Sequence, residues 1–259
     1  MNKIRDYYST VVNNTLIDNN IYLIEMFLPE FDGKAEPGQF MMIKIDETYD
    51  PFLRRPYSIL ECKKERLKIL VKIVGKGSEM IAQKKKKDRL YVLGPLGVGF
   101  SVDKNSHSVL VAGGMGIAPL WFLARGLMKG KKKFSIVYGE RTASLLGKEM
   151  DKTFGERVFF VTDDGSRGLK STASDALPSF LDNLPYREST IYACGPHGML
   201  KEVINFGMGR NIPVYVSLEE RMACGIGVCL GCSVKRKGKY GFLTVCRDGP
   251  VFKGDEVEI

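Results

Sequence analysis

Four thiols near the end of the chain carry the clearest chemistry. Cys224, Cys229 and Cys232 are spaced C-x4-C-x2-C, and Cys246 follows after thirteen intervening residues. This is the spacing with which thiolates hold a plant-type 2Fe-2S cluster. Three ligands on one tight loop must wrap around inorganic sulfide, so Gly225, Gly227 and Gly231 are expected to take positive φ, bring the backbone close and aim N–H groups at sulfur. The competing reading is a zinc site with four thiolate ligands. Such sites usually pair two C-x2-C knuckles, whereas here one interval is four residues and Cys246 stands alone.

Two earlier segments suit a flavin. Arg55, Pro56, Tyr57 and Ser58 open a strand after a loop, offering a cation for phosphate, a flat ring for stacking and a small hydroxyl near the reactive ring. Gly75, Lys76, Gly77 and Ser78 lead into a helix, where free amides and a Ser cap suit a pyrophosphate; an ordinary capped helix has the same signature.

A third set suits a nicotinamide dinucleotide. Gly113, Gly114 and Gly116 lie in A-G-G-M-G-I-A-P, between a strand and a helix, where glycine permits a tight turn and close approach of phosphates. The pattern departs from G-x-G-x-x-G, which argues against a standard Rossmann dehydrogenase and toward reductases whose flavin sits in a separate barrel. Cys194, followed by Gly195 and Pro196, ends another strand at the edge where ligands of open α/β sheets collect, and is the candidate catalytic residue beside the nicotinamide. The loop Thr162–Ser166 is expected to line the same crevice, with Glu140 a candidate acceptor for an adenosine ribose.

These groups need elements to position them. Short β-rich runs at Ile21–Leu28, Phe40–Ile45, Tyr57–Leu60 and Leu67–Val74, with a helix at Ser78–Lys87, predict a small antiparallel barrel. From Ser106 the texture changes to strands at Val109–Ala112, Phe134–Tyr138, Val158–Thr162 and Thr190–Ala193. They alternate with helices at Ala118–Met128, Ser171–Leu181 and His197–Gly207, which predicts a parallel sheet with crossover helices. The tail from Pro213 is rich in Gly and Cys, has one strand candidate at Phe242–Val245, and holds too little apolar material for a core without a cofactor. The expected architecture is an α+β multidomain chain: an antiparallel β-barrel over residues 1–102, an α/β parallel-sheet domain over 103–212 and a small cluster domain over 213–259.

Composition narrows the function class. With 44 % hydrophobic and 27 % charged residues over 259 positions, a packed core needs no disulfide staples. Two histidines, His107 and His197, make imidazole-centred hydrolysis and His-rich metal sites poor fits. The charged start, with Lys3, Arg5 and Asp6, lacks the apolar core of a secretory signal, and Val109–Ala124 is broken by glycines and Pro119; a cytoplasmic chain without a transmembrane helix is expected. The net charge of +9 is spread over Lys84–Lys87, Lys129–Lys133 and Lys235–Lys239, so it predicts solvated surface rather than a nucleic-acid-binding face.

R-P-Y-S, G-K-G-S, G-P-L-G, G-G-M-G-I-A-P, Y-A-C-G-P and the cysteine cluster, in that order, resemble the ferredoxin-NADP reductase superfamily. The ending, S-L-E-E-R-M-A-C-G and V-C-R-D-G-P-V-F, resembles the electron transfer subunits of dihydroorotate dehydrogenase B. The resemblance implies FAD in the barrel, held by Arg55–Ser58, Leu70, Val71, Lys72, Gly77 and Ser78, with NAD on the α/β domain and a 2Fe-2S cluster on the four cysteines. Ser78 stands where Thr is frequent and Tyr57 where Ile is common, which keeps the hydroxyl and changes ring packing. It further implies an FMN-containing dihydroorotate dehydrogenase catalytic subunit as partner, in a heterotetramer of two copies each, with electrons leaving as hydride to NAD+. Two rivals share some of these parts: a stand-alone NAD(P)H-dependent flavin and iron–sulfur reductase, and a zinc-bearing basic binding module.

Overall fold

The computed structural model describes residues 4–47, 49–103, 105–186 and 188–259; Lys3, part of the charged start, lies outside them. The chain forms two compact units. One comprises the segment up to Gly99 with Glu219–Ser233 and Leu243–Pro250, the other Phe100–Leu218, Val234–Phe242 and Val251–Ile259. Residues 213–259 are therefore shared between the units, and among the described residues no helix is long and apolar enough to cross a membrane.

The first unit is built from β1 (Arg5–Asp18), β2 (Ile21–Phe27), β3 (Phe40–Lys44), β4 (Arg55–Ser58), β5 (Glu61–Lys63), β6 (Arg66–Lys72), α1 (Lys76–Ala82) and β7 (Arg89–Leu96). The strands pair antiparallel in the order β4-β3-β7-β1-β2-β6-β5. Alternation places Tyr7, Ser9 and Val11 of β1 and Ile24 and Met26 of β2 inside. After β4 the chain crosses over: Ile59 N donates to Gln39 O (3.1 Å) and Leu60 N to Lys68 O (3.0 Å). That crossing curls the sheet into a half-barrel and brings β4 close to β6.

Four elements differ from expectation here: β5 and β7 are strands beyond the four expected, and β1 and α1 also depart from it. β1, fourteen residues long, falls before the first expected strand. The helix expected to reach Lys87 stops at Ala82. Lys85 N is drawn to the Asp88 carboxylate (2.8 Å), Lys87 has φ 80°, and Lys87 N donates to Val11 O (2.9 Å), so the four-lysine run becomes a turn into β7. Splaying like charges onto a turn relieves the repulsion a helix face would concentrate.

The second unit runs through β8 (His107–Gly113), α2 (Ile117–Lys129), β9 (Phe134–Glu140), α3 (Leu145–Phe154), β10 (Val158–Thr162), β11 (Leu169–Lys170), α4 (Ala173–Asp182), β12 (Ser189–Cys194), α5 (His197–Gly209) and β13 (Val214–Ser217); the other elements follow the expected alternation, whereas α3, β11 and β13 lie outside that expectation. A hairpin, β14 (Ser233–Lys235) and β15 (Phe242–Thr244), precedes β16 (Val251–Lys253). The sheet order is β11-β10-β9-β8-β12-β13-β16, parallel except for β16. Helix α2 buries Ile117, Leu120, Leu123, Ala124 and Leu127 at helical spacing, each large side chain contributing ~2 kcal/mol. Trp121 meets Phe154 of α3 edge to face at 4.9 Å. The chain winds from β8 outward to β10 and then returns to place β12 on the other side of β8. The order of strands thus reverses between β8 and β12, and a ligand crevice belongs at their carboxyl ends.

At the opposite end of β8, His107 is buried, stacks on Tyr186 at 4.1 Å and shares a hydrogen bond with Ser135 Oγ (3.0 Å). Burial, reinforced by Lys133, holds its imidazole down at about 4. The unfolded chain binds this proton near pH 6.5 and the folded chain does not, so stability is full above that pH and falls as pH drops toward 4, by about 3 kcal/mol. NMR of the two histidines should show one imidazole titrating near 4. An H107Q variant should show a flatter decline of unfolding midpoint between pH 6.5 and 4; an unchanged slope would count against this assignment.

Candidate functional site

The four expected metal ligands all belong to the first unit. Cys224 Sγ accepts from the backbone N–H groups of Ile226 (3.5 Å), Val228 (3.4 Å) and Cys229 (3.4 Å). Gly227 N donates to Cys246 Sγ (3.1 Å), and Cys246 N to Cys232 Sγ (3.4 Å). Gly225 and Gly227 lie at φ 72° and 82°, the left-handed conformation that turns these amides inward at no steric cost. Gly231 is not in that region; Leu230, at φ 57°, makes the third turn instead. Cys246 sits in a tight turn whose Arg247, Asp248 and Gly249 amides all point to Thr244 O, while Asp248 Oδ2 accepts from Thr244 N (2.7 Å) and Oγ1 (2.8 Å).

This donor set fits a polynuclear thiolate cluster. Burial works against a thiolate at Cys224, but the three amides outweigh it and bring the thiol down to about 6. Burial and the neighbouring Cys232 sulfur push Cys246 up to about 12. A thiolate at Cys246 is therefore favoured only when a cation sits beside it. A single zinc gathers its thiolates at about 2.3 Å around one ion, usually from two C-x2-C pairs, whereas a 2Fe-2S cluster distributes four thiolates over two irons, which suits C-x4-C-x2-C with a distant Cys246.

The loop borrows its apolar support from the barrel. A β-carbon on Gly225 would lie 2.5 Å from Met42 Cγ and 3.3 Å from Leu96 Cδ1. Met42 is fully buried on β3 and pairs with Pro56 of β4, so one strand separates the cysteine loop from R-P-Y-S. Sequence reasoning missed Met42, which carried no signal beyond being one apolar residue in a strand.

The flavin candidates assemble on the same unit. Arg55, Pro56, Tyr57 and Ser58 form β4, and Leu70, Val71 and Lys72 end the nearby β6. Gly77 and Ser78 lie in the first turn of α1, where a β-carbon on Gly77 would sit 2.6 Å from Arg55 Cζ. The guanidinium thus lies over Gly77, and Arg55 also donates to Leu53 O. Ser78 Oγ accepts from Val74 N (2.8 Å) and Gly75 N (3.1 Å) and donates to Gly75 O (2.8 Å). Its hydroxyl shapes the turn. Burial pushes the Tyr57 phenol up to about 12, so the ring stays neutral.

In the second unit Gly113 ends β8, and Gly114 to Gly116 form a short 3-10 turn into α2. A β-carbon on Gly116 would overlap the Cys194 carbonyl and lie 2.7 Å from Gly195 N, while Gly113 packs against Pro196 and Met199. The two glycine loops after adjacent strands therefore touch backbone to backbone, at the point where the strand order reverses. Cys194 has no exposed surface. Glu140 accepts from Ser144 N (3.2 Å) and Tyr138 OH (3.3 Å), and burial raises its carboxyl above the usual range. Ser166 Oγ accepts from Ala143 N (2.7 Å) and donates to Asp164 (2.6 Å), tying the Thr162–Ser166 loop to the loop after β9. Met199 and Ser144 were not foreseen; Ser144 caps α3 through Gly147 N (3.1 Å), a signal readable as a Ser before a helical run.

Comparison with known proteins agrees with this geometry. Residues 219–258 match the family described as the iron-sulfur cluster binding domain of dihydroorotate dehydrogenase B, and residues 110–204 match the oxidoreductase NAD-binding domain. The chain is 38 % identical over 249 residues to the dihydroorotate dehydrogenase B (NAD(+)) electron transfer subunit of Desulforamulus reducens, covering 93 % of this chain and 94 % of the relative. It is also 38 % identical over 255 residues to that of Geobacillus thermodenitrificans, covering 96 % of each. A solved structure of the NADH-dependent reduced ferredoxin-NADP oxidoreductase, studied for flavin-based electron bifurcation, superposes with a TM-score of 0.86 at 29 % identity, over 96 % of this chain and 89 % of that one.

Proposed function

The chain belongs to the family of dihydroorotate dehydrogenase B (NAD(+)) electron transfer subunits, and on that premise we propose that it carries electrons from dihydroorotate oxidation on an FMN-containing catalytic subunit to NAD+. Cys224, Cys229, Cys232 and Cys246 hold a 2Fe-2S cluster. Arg55, Pro56, Tyr57, Ser58, Leu70, Val71, Lys72, Gly77 and Ser78 hold FAD, and Gly113, Gly114 and Gly116 receive NAD. Flavin, once bound, exchanges electrons singly or in pairs, and so supplies the conversion between iron–sulfur transfer and hydride transfer.

The rest is the work of side chains and backbone. Arg55, lying over Gly77, offers its guanidinium to phosphate, and the neutral Tyr57 ring offers a flat face. Ser78 contributes by holding its turn. Cys194, fully enclosed, forms part of the wall that shapes the nicotinamide crevice and holds the Gly113–Gly116 loop through its carbonyl. Function is then divided along the chain into FAD, NAD and cluster parts over residues 1–102, 103–212 and 213–259, with two copies of each subunit assembled in the cytosol.

The observation that carries this reading is the set of five backbone amides directed at three of the four cysteine sulfurs, on the unit that also presents R-P-Y-S. The test is reconstitution: the holo chain is mixed with the catalytic subunit, dihydroorotate and NAD+, and NADH is followed. NADH should form only when both subunits are present. Failure to form it, with flavin and cluster fully loaded and orotate produced with an artificial acceptor, would point instead to a free-standing reductase serving another acceptor.

A further inference from the structure

The cysteine loop is electrically bare. From Cys224 to Cys232 it reads C-G-I-G-V-C-L-G-C, without one charged side chain. A cation reaches it from the following turn: a β-carbon on Gly227 would lie 2.6 Å from Arg247 Cδ, 2.9 Å from its Cβ and 3.3 Å from its Cγ. The Arg247 stem therefore lies along Gly227, the residue whose N–H donates to Cys246 Sγ, and Arg247 itself follows Cys246 directly. Among the described residues no ion pair involves Arg247, and its side chain is exposed. The neighbouring anion, Asp248, is turned away to Thr244 N and Oγ1.

We propose that Arg247 sets the reduction potential of the cluster, holding it higher than the thiolate cage alone would. This rests on the cysteine assignment above. A 2Fe-2S centre on four thiolates is already negative when oxidised, and takes up one electron and no proton on reduction. The added negative charge is therefore the quantity a nearby cation stabilises. With its stem packed on the residue that donates to Cys246 Sγ, the Arg247 side chain keeps its charge on the cluster side of the loop's surface, where a cation acts on the cluster through only part of the screening of bulk water. Arg is suited to this because it keeps its charge at every working pH.

The experiment is potentiometry of the purified holo chain, followed by the EPR signal of the reduced cluster, on wild type, R247K, R247Q, R247M and R89Q. Arg89 lies at the far end of β7, seven residues from Leu96, which meets Gly225; R89Q removes the same charge at roughly 23 Å. R247Q and R247M should shift the midpoint to more negative values, lowering the reduced-to-oxidised ratio at a fixed applied potential on the order of two- to ten-fold. R247K and R89Q should stay with wild type. A midpoint that sorts by side-chain size, or stays fixed in R247Q and R247M with cluster content and EPR shape unchanged, overturns the proposal. If R247Q fails to hold its cluster, R247M against R247K makes the same comparison. A wild-type chain with no 2Fe-2S signal after anaerobic isolation would instead defeat the cysteine assignment itself.

Discussion

Replacing Cys224 with Ser should stop electron passage between the catalytic partner and the flavin, by about a hundredfold or more, while reduction of the flavin by NADH stays within about twofold of wild type. Cys224 Sγ is the sulfur on which three backbone amides converge, and it has the lowest thiol pKa of the cluster set that the structure resolves, about 6. A serine hydroxyl there is a far weaker acid and a poor iron ligand, so the amides would face a neutral group and the cage would lose its best-prepared corner. The flavin residues on β4, β6 and α1 do not depend on that sulfur, since Arg55 reaches Gly77 and the Ser78 turn closes by its own hydrogen bonds. Acid-labile sulfide and EPR would report the cluster, and NADH-dependent reduction of a dye that accepts from flavin would report the other half. C62S is the matched control, because Cys62 lies outside the loop with its thiol donating to Gly33 O. Equal loss of both activities in C224S would sink the wiring.

That prediction could be framed from sequence because cluster ligation is local. Three of the four ligands fall within nine residues, and the glycines that aim the amides sit between them. The flavin set was partly legible for the same reason, as R-P-Y-S and G-K-G-S are short runs. What did not follow from spacing is how they meet: the Leu60–Lys68 crossing that curls the sheet is a long-range pairing with no local signature. β1 alternates Tyr7, Ser9 and Val11 inward, a pattern that was readable but is blurred by the register shifts after Val11 and Leu16. The lysine run after Ala82 carries helix propensity, and tertiary bonds from Lys87 to Val11 override it.

The tail shows the same division. Its apolar content argued that it needs help to fold, and the structure locates a source of help inside the protein. Gly225 rests on Met42 and Leu96, Val98 N donates to Gly249 O at 2.6 Å, and Gly97 packs on Pro250. Meanwhile β16 adds an antiparallel edge to the second sheet through Tyr215, Val216 and Ser217. A stretch that reads in sequence as one small domain thus distributes its residues over two hydrophobic cores. Sequence texture reports how much apolar surface a segment has, but not whose surface covers it.

Gly116 is the position where a single methyl should do most damage to the nicotinamide half. Its φ is −60°, so alanine adopts the backbone freely and the effect is purely one of space. The atoms in the way are the carbonyl of Cys194 and the amide of Gly195 on the loop after the neighbouring strand. Side-chain ends can rotate aside; these backbone atoms can move only by separating the ends of β8 and β12, which pair Ala112 with Cys194. G116A should therefore cost about 3 kcal/mol, lower the melting temperature of the second unit by about 6–12 °C and weaken NADH binding at least tenfold. Flavin and iron content should be retained, because their residues lie on the first unit. G114A separates space from strain: that residue has φ 53° and open space around its β-position, so alanine costs only about 1 kcal/mol in the fold. A variant G116A that binds NADH and melts like wild type would mean that the two glycine loops do not hold each other, and that the crevice at the β8–β12 switch is shaped by something else.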